Sequence, residues 1–319
     1  MANPIPSRLL PDNTSIDENG SGSIAGCNLV ELAEEYGTPL FVYDENHLRA
    51  RCREAVKAFG EGVAYAGKAF LCGAMSRLVV EEGMNIDVAT GGELYMALHA
   101  GIDGSRLIMH GNNKSESELR MALEAGVSRI VVDSFDELER LQILHKETGI
   151  SPKILLRITP GVEAHTHEFI STGQDDSKFG FTVSTGLALE AVERAVKTEA
   201  VELVGIHAHI GSQVFKVDSF IRAVEVMAEF SNPLELPELS IGGGLGVSYL
   251  EEDHAPSITE WGEAVQTACA QTGIKAKVTA EPGRAIAAAA AITLYRIGTI
   301  KELEGLRTYV AVDGGMSDN

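Results

Sequence analysis

Lys68 is the first residue of this sequence whose type and position could do chemistry. It lies in YAGKAF, at the end of an apolar run, between small and aromatic residues that we expect to exclude water from its amine. Burial lowers the pKa of a lysine, and an uncharged amine can attack a carbonyl carbon to form a Schiff base. The alternative is a lysine that only extends its ammonium into solvent at the rim of the fold.

Two glycine-containing segments later in the chain could hold a phosphate. IGGGLG contributes Gly242, Gly243 and Gly244, whose backbone N–H groups carry no side chains, and HIGS contributes the hydroxyl of Ser212. Backbone N–H groups at strand-to-helix loops are common phosphate ligands. A triple glycine alone is more typical of a tight turn. Two such loops together with a Schiff-base lysine favour pyridoxal 5'-phosphate as cofactor.

A carboxylate in the segment AEPGR completes this reading. Glu281 ends the last of the apolar runs, where it could face the pyridine nitrogen of the cofactor. A carboxylate at that nitrogen keeps it protonated, and the protonated ring is a strong electron sink. An ion pair with Arg284 at the rim is the alternative role for this carboxylate.

Paired histidines raise a competing class, the metal hydrolases. His207 and His209 are two residues apart on one predicted strand, so they share a face, and His165 and His167 repeat the HxH pattern. Neither pair has an obvious set of further histidine or carboxylate ligands at strand ends, and a metal leaves the glycine loops unexplained. We therefore predict no metal site.

These residues depend on an alternating pattern of strands and helices. Four strand centres, Tyr65, Asp87, Met109 and Val131, recur every 22 residues, which is the length of one strand, loop and helix. Eight such units predict an α/β fold, a parallel (β/α)8 TIM-like barrel, with a doubly wound open sheet as the alternative. The eight predicted strands are 63–69, 85–90, 106–111, 129–134, 153–160, 203–211, 238–244 and 277–283.

Segments outside this repeat suggest a second domain. A ninth strand at 39–44 has no place in the barrel, and a polar insertion at 158–183 follows a strand end, where active-site loops belong. After EPGR the chain changes to strands without helices, so we expect the beginning of a C-terminal all-β domain. Too few residues follow to close such a domain, and the sequence looks truncated. The predicted domains are an N-terminal segment at 1–36 associated with the β domain, the barrel at 37–285, and the β-domain start at 286–319.

Composition excludes several classes of protein. The chain has 319 residues, of which 45% are hydrophobic, and a formal net charge of −20. This apolar fraction argues against disorder, and the acidic balance argues against nucleic acid or an anionic membrane as partner. The first residues lack the order of a signal peptide and the four cysteines are scattered, so we expect a cytoplasmic protein without a disulfide framework.

The chain as a whole resembles the fold-type III PLP-dependent decarboxylases. The motifs that carry the resemblance run in the family's order from residue 36 to the end. YAGKA, IGGG and EPGR occur across the ornithine, arginine and diaminopimelate branches, whereas HTHEFISTGQDDSKFGF and HGNNKS resemble the diaminopimelate branch alone. The other matching segments are YGTPLFVYD, DVATGGEL, LRITPG, GIHAHIGSQ and VAVDGGMSDN.

The resemblance implies a role for each matching residue. Lys68 corresponds to the Schiff-base lysine, His209 to the residue that stacks on the cofactor ring, and Glu281 to the partner of the pyridine nitrogen. Ser212 and the glycines ending at Gly244 correspond to the phosphate site. The other implied cofactor residues are Asp87 beside the lysine, Arg157, Pro282, Gly283 and Arg284, which touches cofactor or substrate.

The implied activity is decarboxylation of meso-2,6-diaminopimelate to L-lysine, the last step of lysine biosynthesis, by a homodimer with a shared active site. A decarboxylase of ornithine, arginine or a carboxylated polyamine is the first alternative. The second is a PLP-binding module without catalysis, because family residues expected beyond the C-terminal motif have no counterpart in this sequence.

Overall fold

The computed structural model describes residues 5–162 and 177–318 of the chain. This part forms two compact units, and the domain limits expected after residues 36 and 285 stay a prediction. The larger unit comprises Arg51–Ser248 and Asp253–Ile286, and the smaller one the residues up to Ala50, Tyr249–Glu252 and those from Ala287 onward.

The described residues of the two units form sixteen strands and ten α-helices. The strands are β1 (Thr14–Ile16), β2 (Gly22–Ile24), β3 (Cys27–Asn28), β4 (Leu40–Tyr43), β5 (Ala64–Ala66), β6 (Asn85–Val88), β7 (Leu107–Met109), β8 (Arg129–Val132), β9 (Lys153–Thr159), β10 (Phe181–Thr182), β11 (Glu202–His207), β12 (Glu238–Ser240), β13 (Lys277–Thr279), β14 (Ala291–Leu294), β15 (Ile297–Leu303) and β16 (Arg307–Val312). The α-helices are α1 (Leu29–Tyr36), α2 (Glu45–Phe59), α3 (Gly73–Glu81), α4 (Gly91–His99), α5 (Glu116–Ala125), α6 (Phe135–Thr148), α7 (Leu187–Val196), α8 (Val217–Ser231), α9 (Ile258–Thr272) and α10 (Arg284–Ala287).

The larger unit is the parallel barrel that the spacing predicts. Its eight strands pair in the order β5, β6, β7, β8, β9, β11, β12, β13, every neighbour parallel, and β10 adds to β9 outside this path. The ring closes where the N–H groups of Ala64 and Ala66 donate to the carbonyls of Ala280 and Pro282, at 3.0 and 3.2 Å. All eight predicted strands are thereby confirmed, and the open doubly wound sheet is excluded.

Small and branched side chains fill the barrel. Ala64, Ile108, Val131, Leu155 and Val204 come from five different strands and form one buried apolar cluster. They meet because inward-pointing positions on the strands of a closed barrel share one interior. The repeat thus places the following loops together at one end of the barrel.

Helix starts are fixed by the capping residues that the sequence indicates. Ser115 and Glu118 form a reciprocal capping box at the start of α5. Asn28 caps α1 by accepting from the N–H groups of Val30 and Glu31. In the described part of the chain, no helix is both long enough and apolar enough to cross a membrane.

The smaller unit is built from short antiparallel pairings. β1, β2 and β3 form one sheet, and β15 pairs with β16 as a hairpin. The ninth predicted strand, β4, pairs with β14 rather than with the barrel. The change from helices to strands that the sequence predicts after EPGR is confirmed by β14, β15 and β16.

Candidate active site

The carboxyl ends of the barrel strands bring the predicted site residues to one end of the larger unit. Lys68 follows β5 in a single 3-10 turn, Gly67–Ala69. The expectation that its neighbours bury it is wrong, because this turn leaves Lys68 exposed. Tyr65 instead points into the core, where its hydroxyl donates to the carbonyl of Phe70 at 2.7 Å.

Asp87 lies next to the end of β6 and is buried beside His110, a histidine that has no role in the sequence-based predictions. His110 follows β7, and its Nε2 lies 3.4 Å from Asp87 Oδ1 and 3.9 Å from Glu281 Oε1. Burial raises the pKa of the Asp87 carboxyl well above its usual range, the charge of Glu281 adds to this, and the Lys68 ammonium opposes it. Asp87 is therefore biased towards its protonated form.

Glu281 is the central carboxylate of the site and is almost fully buried. Ser240, the last residue of β12, donates its hydroxyl to Oε1 at 2.5 Å. His207, the last residue of β11, places Nε2 at 2.9 Å from Oε2. Both carboxylate oxygens are thus bound by neighbouring strands.

Three polar neighbours determine the charge of Glu281. Burial by itself acts to raise the pKa of this carboxyl. The nearby His207 and His110, and the hydrogen bonds from His207 and Ser240, outweigh burial and hold the pKa of Glu281 well below its usual range. Glu281 is an ionised acceptor, as a partner of a protonated pyridine nitrogen must be.

His209 is held by the glycine loop of the adjacent strand. The N–H of Gly243 donates to His209 Nδ1 at 3.2 Å. Burial lowers the pKa of His209 well below its usual range, and the positive charges of Lys68 and Arg157 lower it further. The ring is neutral and carries its proton on Nε2.

The loop after β12 leaves no room for side chains. A Cβ on Gly242, Gly243 or Gly244 would lie 2.3, 2.2 or 2.0 Å from a backbone oxygen. Among the described residues, the N–H groups of Gly244 and Ser212 have no acceptor in the loop or its surroundings. Such a loop presents backbone donors at close range, and it fits the phosphate of the predicted pyridoxal phosphate.

The EPGR segment packs directly against the end of β5. A Cβ on Gly283 would lie 2.9 Å from Ala66 Cβ, and the carbonyl of Pro282 accepts from the N–H of Ala66. Arg284 is exposed and donates from Nη2 to Ser212 Oγ at 3.3 Å. Arg284 thus lies beside the predicted phosphate loop, and among the described residues it forms no ion pair with Glu281.

Arg157 lies on β9 beside the described end of the long insertion. Its guanidinium lies 4.2 Å from the centre of the Phe179 ring, and Nη1 is 3.7 Å from Asp133 Oδ1. Asp133 also accepts from the N–H of Gly180 at 3.0 Å. His165 and His167, the second predicted HxH pair, lie outside the described residues.

The structure corrects one argument made against a metal. His110, His207 and Glu281 place one ligand atom each within 4.8 Å of one another, so further ligand types do lie beside His207. They were missed because they come from other strands. Nε2 of His207 already lies within hydrogen-bond distance of Glu281 Oε2, at 2.9 Å. The same three residues are therefore equally consistent with a hydrogen-bonded carboxylate that binds no metal.

Sequence reasoning also missed a buried ion pair in the barrel wall. Lys114 of HGNNKS lies 2.8 Å from Glu137, and its ammonium also donates to the carbonyls of Gly111 and Val131. Burial raises the pKa of Glu137, although Lys114 counteracts this. The pair fixes the loop after His110, which explains the lysine in that motif.

Comparison with known proteins gives a consistent result. Residues 45–288 match the family described as pyridoxal-dependent decarboxylase, pyridoxal binding domain. The chain is 50% identical over 330 residues to the diaminopimelate decarboxylase of Mycobacterium tuberculosis (strain ATCC 25618 / H37Rv), covering 97% of this chain and 74% of that protein.

Solved structures show the same similarity. Diaminopimelate decarboxylase from M. jannaschii, in co-complex with L-lysine, superposes with a TM-score of 0.87 at 33% identity, covering 96% of this chain and 74% of that one. The enzyme from Helicobacter pylori, complexed with L-lysine, superposes with a TM-score of 0.84 at 30% identity, covering 91% and 73%.

Proposed function

Because this chain belongs to the pyridoxal-dependent decarboxylases, we propose that it removes CO2 from meso-2,6-diaminopimelate to give L-lysine. The observation that carries this proposal is the similarity to diaminopimelate decarboxylases along nearly the whole chain. The activity is that of a carboxy-lyase with an amino-acid substrate, and it is the last step of lysine biosynthesis.

Pyridoxal phosphate, when bound, supplies a ring that accepts the electron pair left as the bond between Cα and the carboxylate breaks. Glu281, ionised between Ser240 and His207, would keep the ring nitrogen protonated. Lys68 would hold the aldehyde end, since its exposed amine lies at the open end of the barrel. His209 would cover one face of the ring.

Proton handling falls to residues beside Lys68. Asp87 is biased towards its protonated form, and it lies near enough for the charge of the Lys68 ammonium to lower its pKa. Replacing the lost CO2 requires that one proton be delivered to Cα of the product. We assign this donation to Lys68, with Asp87 as its neighbouring acid.

The phosphate and substrate roles rest on the loops. Ser212, Gly242, Gly243 and Gly244 would bind the phosphate through backbone N–H groups and one hydroxyl. The contact of Arg284 with Ser212 supports a place for Arg284 at the phosphate side. We assign its guanidinium a substrate carboxylate as a second partner.

We further propose a cytoplasmic homodimer. The four cysteines are free thiols, the state that a reducing compartment maintains. The hairpin β15–β16 exposes Ile297, Ile300 and Tyr309, apolar groups of the kind that subunit interfaces cover. Light scattering of the purified protein gives its mass, and a monomer at micromolar concentration contradicts the dimer.

Release of CO2 from a panel of amino acids tests the activity. The protein is saturated with pyridoxal phosphate and offered meso-diaminopimelate, ornithine and arginine in separate assays, with L-lysine measured as product in the first. We expect turnover of diaminopimelate alone. Preferential turnover of ornithine or arginine would assign the chain to a sibling branch, and pyridoxal phosphate binding without turnover would leave it a binding module.

A chelator and hydroxylamine separate this chemistry from metal hydrolysis. Hydroxylamine captures the aldehyde and should inactivate the enzyme, whereas a chelator should leave the activity unchanged. The opposite pattern, with activity restored by zinc, would contradict the proposal.

A further inference from the structure

His207 is buried to 1% exposure, yet no part of the proposed reaction requires it to touch substrate. His207 is the last residue of β11. Glu281 lies just after β13, which is two strands away from β11 in the barrel. Its Nε2 contacts one carboxylate oxygen at 2.9 Å, while Ser240, from the strand between them, contacts the other at 2.5 Å.

The hydrogen-bonding capacity of the groups fixes which atom donates. An ionised carboxylate only accepts hydrogen bonds, so His207 must carry its proton on Nε2. Its Nδ1 is buried and has no hydrogen-bond partner among the described residues. Within the part of the chain that the structure describes, the hydrogen bond to Glu281 is therefore the one that the His207 ring forms.

The surrounding side chains leave Glu281 little freedom to turn. His110 packs edge to face on His207, with ring centres 5.2 Å apart at 70°, and its Nε2 lies 3.9 Å from Glu281 Oε1. Ser240 is itself held, because its Oγ accepts from the N–H of Gly242 at 3.2 Å. Orientation is thus set by a connected set of contacts rather than by one hydrogen bond.

We propose that His207 is a positioning residue, which together with Ser240 fixes the orientation of the Glu281 carboxylate towards the cofactor nitrogen. This inference rests on the proposed function. It adds that two residues outside the predicted cofactor contacts decide how firmly the ring nitrogen is held in its protonated form.

The test measures the ring nitrogen itself. Pyridoxal phosphate labelled with ¹⁵N at the ring is bound to wild type and to the variants His207→Phe, His207→Gln and Ser240→Ala, and the nitrogen chemical shift reports its protonation. We expect His207→Phe and Ser240→Ala to move the shift towards the neutral value. The dissociation constant of the cofactor should rise by about tenfold or more in His207→Phe.

His207→Gln keeps an N–H donor and should recover most of the wild-type shift, which a purely structural role for the ring would not predict. His99→Gln, on the exposed face of α4, is the matched control and should not differ from wild type. Circular dichroism confirms that each variant is folded before it is compared.

A measurement on the unmodified protein covers the case in which His207→Phe fails to fold. Imidazole ¹⁵N spectra of wild type, assigned with His207→Gln, should show the Nε2–H tautomer for His207. A proton on Nδ1, or a ring-nitrogen shift identical in wild type and all folded variants, overturns the positioning role. Failure of wild type to bind pyridoxal phosphate at all contradicts the proposed function instead.

Discussion

The backbone N–H of Gly243 donates to Nδ1 of His209 at 3.2 Å. The loop after β12 therefore orients the His209 ring, which follows the adjacent strand β11. This bond leaves Nε2 as the protonated nitrogen and sets the plane of the ring. A flat, neutral ring held from its edge is suited to cover the face of an aromatic cofactor.

Replacing His209 should therefore weaken binding of pyridoxal phosphate. We expect His209→Ala to raise the dissociation constant by about twofold to tenfold, because the loss of a ring contact costs about 0.5–1.5 kcal/mol. His209→Phe should lose less, since it retains a ring. Titration of the apoprotein gives these constants, with His99→Ala as the control, and equal affinities of wild type and His209→Ala contradict a stacking role.

The barrel could be predicted because its units repeat. Tyr65, Asp87, Met109 and Val131 all lie in successive strands, since each unit needs the same length of chain to cross from strand to helix and back. Side-chain contacts between strands do not repeat in this way. His207 and Glu281 are 74 residues apart, and no local pattern shows that their atoms meet.

The same limit explains the other differences at the site. The sequence placed Lys68 correctly at a strand end but could not show that a 3-10 turn exposes it. It also contained no sign that Ser240 would face Glu281, because a serine before glycines is common in turns. The family resemblance rests on motifs that are continuous in sequence. The contacts of Ser240 and His207 with Glu281 form only when the barrel strands come together.

Gly242 should tolerate no side chain, and Gly273 provides a matched comparison. Both have a positive φ, +68° and +71°, but a Cβ on Gly242 meets the carbonyl of Ala208 at 2.3 Å while one on Gly273 meets nothing within 4 Å. We expect Gly273→Ala to cost about 1–2 kcal/mol of unfolding free energy, and Gly242→Ala about 1–3 kcal/mol more.

Urea denaturation of the two glycine variants gives both free energies. Gly242→Ala should in addition weaken binding of pyridoxal phosphate, because the displaced loop no longer aims its N–H groups at the phosphate. Equal destabilisation by the two substitutions would show that the loop relaxes around the added methyl group.

Lys68 should be the lysine that bonds to the cofactor. Reduction of the bound complex with borohydride, followed by proteolysis and mass spectrometry, should label the peptide that contains Lys68. Lys68→Ala should abolish the label while changing the unfolding free energy by less than about 0.5 kcal/mol, because the side chain is exposed. Lys57→Ala, an exposed lysine on α2, should label as wild type does, and a label on another lysine refutes the assignment.

Acid should destabilise the barrel in part through His110. Burial lowers the pKa of His110 from its ordinary 6.5 to about 3, although Glu281 opposes the shift. Between these pH values the unfolded chain binds a proton that the folded chain does not, so stability present above pH 6.5 is lost as the pH falls. The slope is at most about 1.4 kcal/mol per pH unit.

Urea denaturation at pH 7 and pH 5 measures this loss. His110→Gln cannot take up the proton, and between the two pH values it should lose about 1–2 kcal/mol less than wild type. The comparison with wild type is needed because Asp87, whose pKa is raised, contributes with the opposite sign in the same site. His99→Gln, exposed on α4, should follow wild type. Parallel losses in wild type and His110→Gln would mean that the pKa of His110 is the same in the folded and unfolded chain, which contradicts the prediction. A smaller loss in wild type than in His110→Gln would mean that His110 is already protonated in the folded barrel and pairs with an ionised Asp87.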